Sequence, residues 1–320
     1  MLCSTAVVHE LPDRPPGFVP PDLSPDGLRL IPAELENGVY ALMADRVPKN
    51  NNGLVVGEDA ALVIDSGITP EIGHYIQEVV SRLTDKPVRY LVNTTYHGDH
   101  SFGNSSFGSG VTVLSSRYNH AAMNDLTAEK RARQESMRGD TTDLDSVTGW
   151  RRPEVVFDRY CEIDLGGRTV QLWHLGPGNG SGDTVVHVPD AGVAWTGNLT
   201  PPAGMPPMML IGDPPSYMRT LRELRTTLDI DTFVPGHGPQ GPIDPVVNSM
   251  LVYMENMTAE VTRRRSAGET LEEMYGSIPM RGIEPVPSAP ESYSKLLTSF
   301  HELNILLTHR WLEGATELTV

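Results

Sequence analysis

Three side chains that commonly bind transition metals fall within four consecutive residues of the chain. The segment Thr95-Tyr-His-Gly-Asp-His100 directly follows an apolar run that ends at Asn93. Histidine and carboxylate together are ligands for zinc, iron and manganese. A helix or a strand would point these side chains in different directions, whereas a tight loop containing Gly98 can fold them around one point. The spacing therefore predicts a metal-binding loop at the end of a strand.

The elements before this loop have the order expected of an α/β enzyme. Strands are predicted at 38–43, 53–56 and 61–64, the last two as a hairpin. Thr69 and Pro70 predict the start of a helix whose apolar residues recur at helical spacing as far as Leu83. A strand at 88–93 then enters the polar loop. Such loops at the carboxyl ends of strands are where α/β enzymes place active sites.

Two later segments are candidates for the walls of a substrate pocket. Residues 115–157 are polar and are predicted to form a helical excursion or lid; their basic cluster is interpreted as a solvated helix face (Lys130, Arg131, Arg133, Arg138). Residues 201–210 carry prolines and methionines and predict an apolar loop. Further strands are predicted at 155–157, 169–173, 184–188, 192–195 and 232–234, with a helix at 217–228.

Three regions are predicted along the chain of 320 residues. Residues 1–34 are a proline-rich N-terminal arm, 35–240 form the catalytic domain, and 241–320 are a helical extension of that domain. Apolar residues near the C-terminus mark one face of an amphipathic helix (Tyr293, Leu296, Leu297, Phe300, Leu303, Leu307, Trp311). This face predicts packing or subunit contact, including a homodimer through the C-terminal helices.

The composition restricts the partners of the protein. The net charge of −16 and the pI near 5.0 disfavour nucleic acid and anionic membrane surfaces as partners. No apolar run is long enough to span a membrane, and the N-terminus lacks the pattern of a signal peptide. A cytoplasmic location and a small-molecule substrate are therefore expected.

Four further motifs, in the same order along the chain, resemble those of the metallo-β-lactamase superfamily. The loop at 95–100 is similar to that family's pattern His-x-His-x-Asp-His, and 64–67 resembles its aspartate-glycine turn. The segments 176–183, 195–199 and 235–238 resemble the loops that supply a third histidine, a bridging aspartate and the last ligand. This resemblance covers about residues 35–240. It implies an α+β fold, a four-layer αββα sandwich with added C-terminal helices, and hydrolysis by a metal-activated water.

The sequence departs from the family pattern at three ligand positions. Thr95 stands where the first histidine belongs, and Asn179 where the histidine of the second loop belongs. Asn198 replaces the bridging aspartate. Neutral hydroxyl and amide oxygens hold a divalent cation less well than imidazole or carboxylate does. The first metal position is therefore predicted to be lost.

The resemblance implies one divalent ion, zinc in preference to iron or manganese, on the remaining ligands Asp99, His100 and His237. His97, freed from a full first site, is predicted to be the general base, and Asp99 is the other residue assigned to catalysis. Residues predicted to line the pocket and bind substrate are Thr95, Tyr96, Asn179 and Asn198.

Three more residues near these motifs have predicted roles. Asp65 is expected to orient the metal-binding loop by hydrogen bonds. His187 lies within a strand and is expected to be structural. His174 is expected to pack beside the site, although the sequence leaves open whether it completes the first metal position.

The first interpretation is a mononuclear hydrolase of an ester, thioester, lactone or amide, whose substrate has an apolar portion. Two alternatives stay open. A non-haem iron oxygenase uses the same set of two histidines and one carboxylate, and a lyase or cyclase would need a similar site. The third possibility is an inactive member of the fold that binds a ligand. Metal content discriminates among them, because zinc favours hydrolysis, iron favours oxygen chemistry, and no metal favours ligand binding alone.

Overall fold

Two mixed β-sheets lie face to face at the centre of this computed structural model, which describes residues 14–138, 142, 144–211, 213–284 and 291–314. The first sheet has seven strands whose spatial order follows the chain. They are β1 (Leu30–Glu36), β2 (Val39–Ala44), β3 (Asn52–Val56), β4 (Ala61–Ile64), β5 (Val88–Val92), β6 (Thr112–Ser116) and β7 (Val155–Phe157). Neighbours are antiparallel from β1 to β4 and parallel from β4 to β7.

The second sheet has six strands in the order β13-β12-β11-β10-β9-β8. They are β8 (Tyr160–Asp164), β9 (Thr169–Trp173), β10 (Val185–Val188), β11 (Val193–Gly197), β12 (Thr232–Pro235) and β13 (Gly241–Pro242). The pair β11 and β12 is parallel, and the other neighbours are antiparallel.

Helices cover the outer faces of both sheets. They are α1 (Pro70–Ser81), α2 (Gly98–Ser101), α3 (Arg117–Ala122), α4 (Leu126–Gln134), α5 (Pro214–Thr227), α6 (Ile243–Ser266), α7 (Leu271–Met274) and α8 (Glu291–Leu312). One apolar cluster joins α1 to the first sheet, a second lies between the sheets, and a third joins α5, α6 and α8 to the second sheet. These clusters define four layers, so the predicted αββα sandwich is confirmed.

Side-chain alternation along the strands explains this layering. In β4, Val63 faces the helical layer, whereas Leu62 and Ile64 face the opposite sheet. In β10, Val185 faces the helices and Val186 faces the opposite sheet. Strands that are covered on both faces need apolar residues at nearly every position, which is why these runs were recognisable in the sequence.

The N-terminal boundary differs from the predicted arm at 1–34. Strand β1 begins at Leu30, so the last residues assigned to the arm belong to the sheet. An edge strand accepts Pro32 because only one of its two sides is hydrogen-bonded, and the mixed exposure of β1 hid its signal. Residues 1–13 of the predicted arm lie outside the described residues. So do 139–141 and 143 of the predicted lid, and 285–290 and 315–320 of the C-terminal region.

The amphipathic face predicted near the C-terminus packs within the chain. In α8, Tyr293, Leu296 and Leu303 are buried in the same cluster as Met254 of α6. A homodimer through these helices stays a prediction, and it would have to use their outer surfaces. Among the described residues, no helix has the length and apolar character needed to cross a membrane.

Candidate metal centre

Four strands end at one edge of the sandwich, and each leads into a loop that carries site residues. Asp65 follows β4, and residues 94–97 lead from β5 into the one-turn helix α2, which carries Asp99 and His100. The tight loop predicted at 95–100 is therefore partly helical. Asn198 follows β11, and His237 lies two residues beyond the end of β12. Because β4 and β5 are parallel, as are β11 and β12, their carboxyl ends lie side by side. This arrangement brings together residues that are far apart in the chain.

Asp99, His100 and His237 form a compact triangle of ligand atoms. Nε2 of His100 lies 3.3 Å from Nε2 of His237. Oδ2 of Asp99 lies 3.3 Å from each of these nitrogens. Among the described residues, these three form the group able to hold a metal ion. The side chain of His237 is 24% exposed, so the triangle is open on one side. The donor set and its spacing fit one divalent ion with open coordination positions.

Asp65 fixes the ring of His100 from the opposite side. Its Oδ2 accepts a hydrogen bond of 2.8 Å from Nδ1 of His100. The same carboxylate accepts from the backbone N–H and the hydroxyl of Thr94 at 2.8 and 2.7 Å. Asp65 has a left-handed backbone (φ 58°), which its side-chain bonds help to hold. The bonds match the orienting role predicted for Asp65 and leave Nε2 of His100 free to bind a metal.

The loop that carries His237 is held in a similar way. Nδ1 of His237 donates to the carbonyl oxygen of Pro48 at 2.6 Å, so Nε2 keeps its lone pair for a metal. The backbone N–H of Asn51 donates to the carbonyl oxygen of Gly236 at 2.7 Å. A Cβ atom at Gly236 would lie 2.9 Å from Cε1 of His100. Only glycine therefore lets this loop approach the first loop closely enough to complete the triangle.

The electrostatics of the triangle favour a bound cation. Burial raises the pKa of Asp99, but His100, His237 and the Arg133 guanidinium outweigh this effect and hold it well below its usual range. Burial lowers the pKa of His100, but the carboxylates of Asp99 and Asp65 raise it to about 10. The carboxylates of Asp99 and Asp65 thus both lie against the buried ring of His100. A divalent ion among the three ligand atoms would offset their negative charge.

His97 lines the cavity beside Asp99, where the sequence predicts that the first metal position is lost. Its ring is buried, and Nδ1 accepts a hydrogen bond of 3.1 Å from the amide nitrogen of Asn198. Burial and then the charge of Arg133 lower the pKa of His97 well below its usual range, so the ring is neutral. A neutral imidazole that accepts at Nδ1 carries its hydrogen on Nε2. This hydrogen-bond pattern presents a donor at Nε2 of His97, and the role of general base stays a prediction.

Unsatisfied polar atoms cluster in the residues that replace the first metal site. Buried atoms without a hydrogen-bond partner in the described part of the chain include Thr95 Oγ1, His97 Nε2, Asn179 Oδ1, Asp183 Oδ1 and Asn198 Oδ1. Buried polar atoms in folded proteins normally have partners. Of these residues, His97, Asn179 and Asn198 line the cavity, so their unpaired atoms are placed to bind water or the polar atoms of a ligand.

Asp183 is a buried carboxyl group beside the site that the sequence pattern did not indicate. One oxygen accepts a hydrogen bond of 3.0 Å from the backbone N–H of Gly180. Burial raises the pKa of Asp183 to about 7, against the opposing effect of its backbone hydrogen bonds and of His100. Only its place in the 176–183 loop, close to Asn179, could have pointed to it.

The triangle opens into a largely apolar cavity of about 100 Å³. Both predicted walls contribute, with Ala132 and Ser136 from the lid segment and Met205 and Met208 from the 201–210 loop. The N-terminal arm and α8 also line it, which the sequence did not indicate. The remaining apolar lining includes Phe18, Leu23, Leu210, Leu296 and Phe300.

The four predicted substrate-binding residues do not occupy equivalent places. Asn179 and Asn198 line the cavity together with His97 and Asp99. Thr95 is fully buried and is not among the lining residues, and neither is Tyr96. The ring of Tyr96 packs edge-on against His97 with 4.4 Å between ring centroids. Tyr96 is therefore placed to support His97, and neither Thr95 nor Tyr96 is placed to touch a ligand directly.

Arg133 corrects the interpretation of the basic cluster as a solvated helix face. Its side chain is only 13% exposed, and Nη1 lies 3.4 Å from Oδ1 of Asp99. Nε lies 3.0 Å from Oε1 of Glu129, one helical turn earlier. Glu129 also accepts a hydrogen bond of 2.8 Å from the backbone N–H of Gly98. The Glu129–Arg133 spacing was visible in the sequence, but the burial of this pair was not.

The two other histidines with predicted roles lie outside the triangle. Nδ1 of His174 is 3.0 Å from the carbonyl oxygen of Asp183, so this ring bonds to the backbone beside the site. His187 lies between Gln171 and the carbonyl oxygen of Asp229, as expected of a structural residue. Neither ring belongs to the ligand group found among the described residues.

Fold, motif order and ligand triangle together point to one superfamily. A sequence model of the metallo-beta-lactamase superfamily matches residues 46–237, and the chain belongs to this superfamily. The fold is similar to that of a metallo-beta-lactamase from Pontibacter korlensis, with a TM-score of 0.57 and 19% identity over 71% of this chain and 100% of that chain. A metallo-beta-lactamase from Erythrobacter litoralis gives a TM-score of 0.53 and 19% identity over 71% and 96% of the two chains.

A third solved structure also matches the helical C-terminal region. The stereoselective inverting sec-alkylsulfatase Pisa1 from Pseudomonas sp. gives a TM-score of 0.65 and 14% identity over 91% of this chain. The match takes in 51% of the sulfatase, so this chain spans about half of that length. At such identities these likenesses show the fold alone.

Proposed function

We propose that the protein is a metal-dependent hydrolase that cleaves an ester, thioester, lactone or amide of a small molecule with an apolar portion. The observation that carries this proposal is the ligand triangle of Asp99, His100 and His237, which opens into a cavity with apolar walls. Membership of a superfamily whose usual reaction is metal-dependent hydrolysis supports it.

The proposed site holds a single ion, zinc in preference to iron. A divalent ion there lowers the pKa of a water molecule and polarises a carbonyl oxygen. Asp65 and the carbonyl oxygen of Pro48 hold the two histidine rings so that their free nitrogens meet. The positions that would complete a site for a second metal ion carry Thr95, Asn179 and Asn198. These residues supply neither an anionic bridge nor further imidazoles, which supports one ion rather than two.

Protein groups around the triangle have separate proposed roles. His97, kept neutral, donates from Nε2 to an oxygen atom that gains negative charge as the carbonyl is attacked. The unpaired amide oxygens of Asn179 and Asn198 accept hydrogen bonds from bound water or from N–H or O–H groups of the substrate. The apolar walls hold the hydrocarbon portion and exclude water from it. In the hydrolysis, the water oxygen bonds to the acyl carbon, and the leaving group departs with a proton.

A series of p-nitrophenyl esters from acetate to decanoate tests this proposal. Hydrolysis should disappear when the protein is stripped with EDTA and return when zinc is added back. The value of kcat/KM should rise with acyl chain length, because each methylene group buried contributes about 0.8 kcal/mol. Absence of hydrolysis with every metal tried would contradict the proposal. Oxygen consumption with iron(II) would instead favour the oxygenase.

Phe300 provides a test of the cavity wall. It lies on α8 and lines the cavity. Phe300→Ala should lower kcat/KM for the decanoate ester by about tenfold and leave the acetate ester nearly unchanged, because only the long chain reaches this wall. Thr298→Ala is the matched control, since Thr298 is exposed on the same helix. Equal losses for short and long esters would show that the chain binds elsewhere.

A further inference from the structure

The charges on the cavity wall point to an anionic ligand group. Among the described residues, the charged side chains that line the cavity are Arg14, Asp99 and Arg133. Asp99 belongs to the ligand triangle, so the wall outside the triangle carries two guanidinium groups and no carboxylate. Such a wall in an otherwise apolar cavity fits an amphiphile with a negatively charged oxygen group.

Arg133 is held rigidly before any ligand arrives. Glu129 contacts its Nε at 3.0 Å and accepts from the backbone N–H of Gly98 at 2.8 Å. One carboxylate thus fastens both the guanidinium and the metal-binding loop to α4. Nη1 of Arg133 lies 3.4 Å from Oδ1 of Asp99, while Oδ2 of that carboxylate faces the two histidines. The guanidinium therefore stands next to the triangle in a fixed orientation, which lowers the entropic cost of binding.

Arg14 carries a second, partly unsatisfied guanidinium. Its Nη2 pairs with Glu135 at 3.1 Å, and its Cζ lies 4.6 Å from the centre of the Phe18 ring. Nε and Nη1 are buried and have no hydrogen-bond partner in the described part of the chain. The N–H groups at Nε and Nη1 of Arg14 are thus hydrogen-bond donors available to a ligand, in the same cavity that Arg133 lines.

Arg133 supplies positive charge near His97, where the first metal position is predicted to be lost. The replacements at Thr95, Asn179 and Asn198 leave His97 without the cation that the family pattern places beside it. Arg133 brings a permanent positive charge to that side, and this charge contributes to the lowered pKa of His97. A guanidinium is planar and can donate two parallel hydrogen bonds to a carboxylate, which suits it to hold an acyl oxygen group.

We propose that Arg133 binds the acyl oxygens of the substrate and the carboxylate of the product, so that the acyl chain, and not the leaving group, occupies the apolar cavity. The preferred ligands are then fatty-acyl compounds and their free acids. This inference deepens the proposed hydrolase function and rests on it. The binding test below uses metal-free protein, so that the two can fail separately.

Calorimetric titration of EDTA-stripped protein with decanoate and with decanamide tests the role of Arg133. The wild type should bind decanoate at least about tenfold more tightly, because a carboxylate offers the guanidinium two anionic oxygens whereas an amide offers one neutral oxygen. Arg133→Gln should remove this preference, whereas Arg131→Gln, an exposed arginine on the same helix, should retain it. An unchanged preference in Arg133→Gln, or no preference in the wild type, would overturn the inference.

Two further variants distinguish a loss of binding from a loss of folding in Arg133→Gln. Arg133→Gln leaves Glu129 buried without its cation, and an unpaired buried charge is destabilising. The double variant Glu129→Gln/Arg133→Gln neutralises both partners and should also lose the preference for decanoate. Arg133→Lys keeps the charge without the paired geometry and should retain an intermediate preference. Full preference for decanoate in the double variant would overturn the inference as well.

The outcomes separate the inference from the function on which it rests. Wild-type protein could prefer decanoate through Arg133 while zinc-loaded protein hydrolyses no ester. This result would support the proposed binding site and contradict the proposed hydrolase function. Ester hydrolysis without that preference would support the hydrolase function and overturn the proposed role of Arg133.

Discussion

Replacing Asp99 or His237 by alanine is expected to abolish metal binding and hydrolysis together. Each residue supplies one of the three ligand atoms that lie 3.3 Å apart, so either change leaves two ligands. Asp65→Asn is the graded variant, because it weakens the support of His100 without removing a ligand. Its metal affinity should fall by about 10- to 100-fold, and Asp99→Ala should lose more. Elemental analysis after dialysis and kcat/KM on the same samples measure both effects.

His74→Ala is the control for this comparison. His74 is exposed on α1 and lies outside the ligand group. It should keep the metal content and activity of the wild type. If Asp99→Ala kept its metal while losing activity, the triangle would not be the metal site.

Replacing His97 is expected to separate metal binding from catalysis. His97→Ala should keep its metal, because the three ligand atoms are untouched, and lose about 100- to 1,000-fold in kcat, as when one donor to a developing oxyanion is removed. His97→Gln should recover part of this loss, since a glutamine amide can donate a hydrogen bond but cannot act as a base. Single-turnover kinetics at saturating ester, with metal content measured in parallel, report this difference.

The opposite outcomes for His97 are equally informative. If His97→Gln were as inactive as His97→Ala, the general base predicted from the sequence would be the better description. Loss of metal in His97→Ala, as complete as in Asp99→Ala, would make His97 a ligand. The first metal position would then be more intact than Thr95, Asn179 and Asn198 suggest.

Elements with strong local signals were predictable from the sequence. Helix α1 begins at Pro70 as predicted, because the Thr69 hydroxyl caps it by accepting from the backbone N–H of Ile72. Strands β4, β7 and β9 have the predicted bounds. By contrast, β1, β6, β8 and the two-residue β13 were missed. Strands β1 and β8 are substantially exposed and lack a continuous apolar run, and β6 is short and ends in serines.

In the candidate site, too, residues in local motifs were predictable, whereas features that depend on contacts between distant parts of the chain were not. Motifs at strand ends identified the ligand residues, although 137 positions separate His100 from His237. The cavity walls formed by the N-terminal arm and α8 could not be inferred, because they depend on contacts between residues far apart in the chain. One example is the hydrogen bond of 2.9 Å from the backbone N–H of Val19 to the hydroxyl of Ser299. Burial of Arg133 was equally hidden, because it follows from the approach of α4 to the metal-binding loop.

Metal stoichiometry of the wild-type chain tests the central claim most directly. The protein would be purified without added metal, loaded with zinc, dialysed against metal-free buffer and analysed for metal and protein in the same sample. One ion per chain is expected, because Asp99, His100 and His237 form a complete ligand set. The other side offers His97, neutral oxygens and a guanidinium in place of two imidazoles and an anionic bridge. Two ions per chain at full occupancy after dialysis would contradict the account.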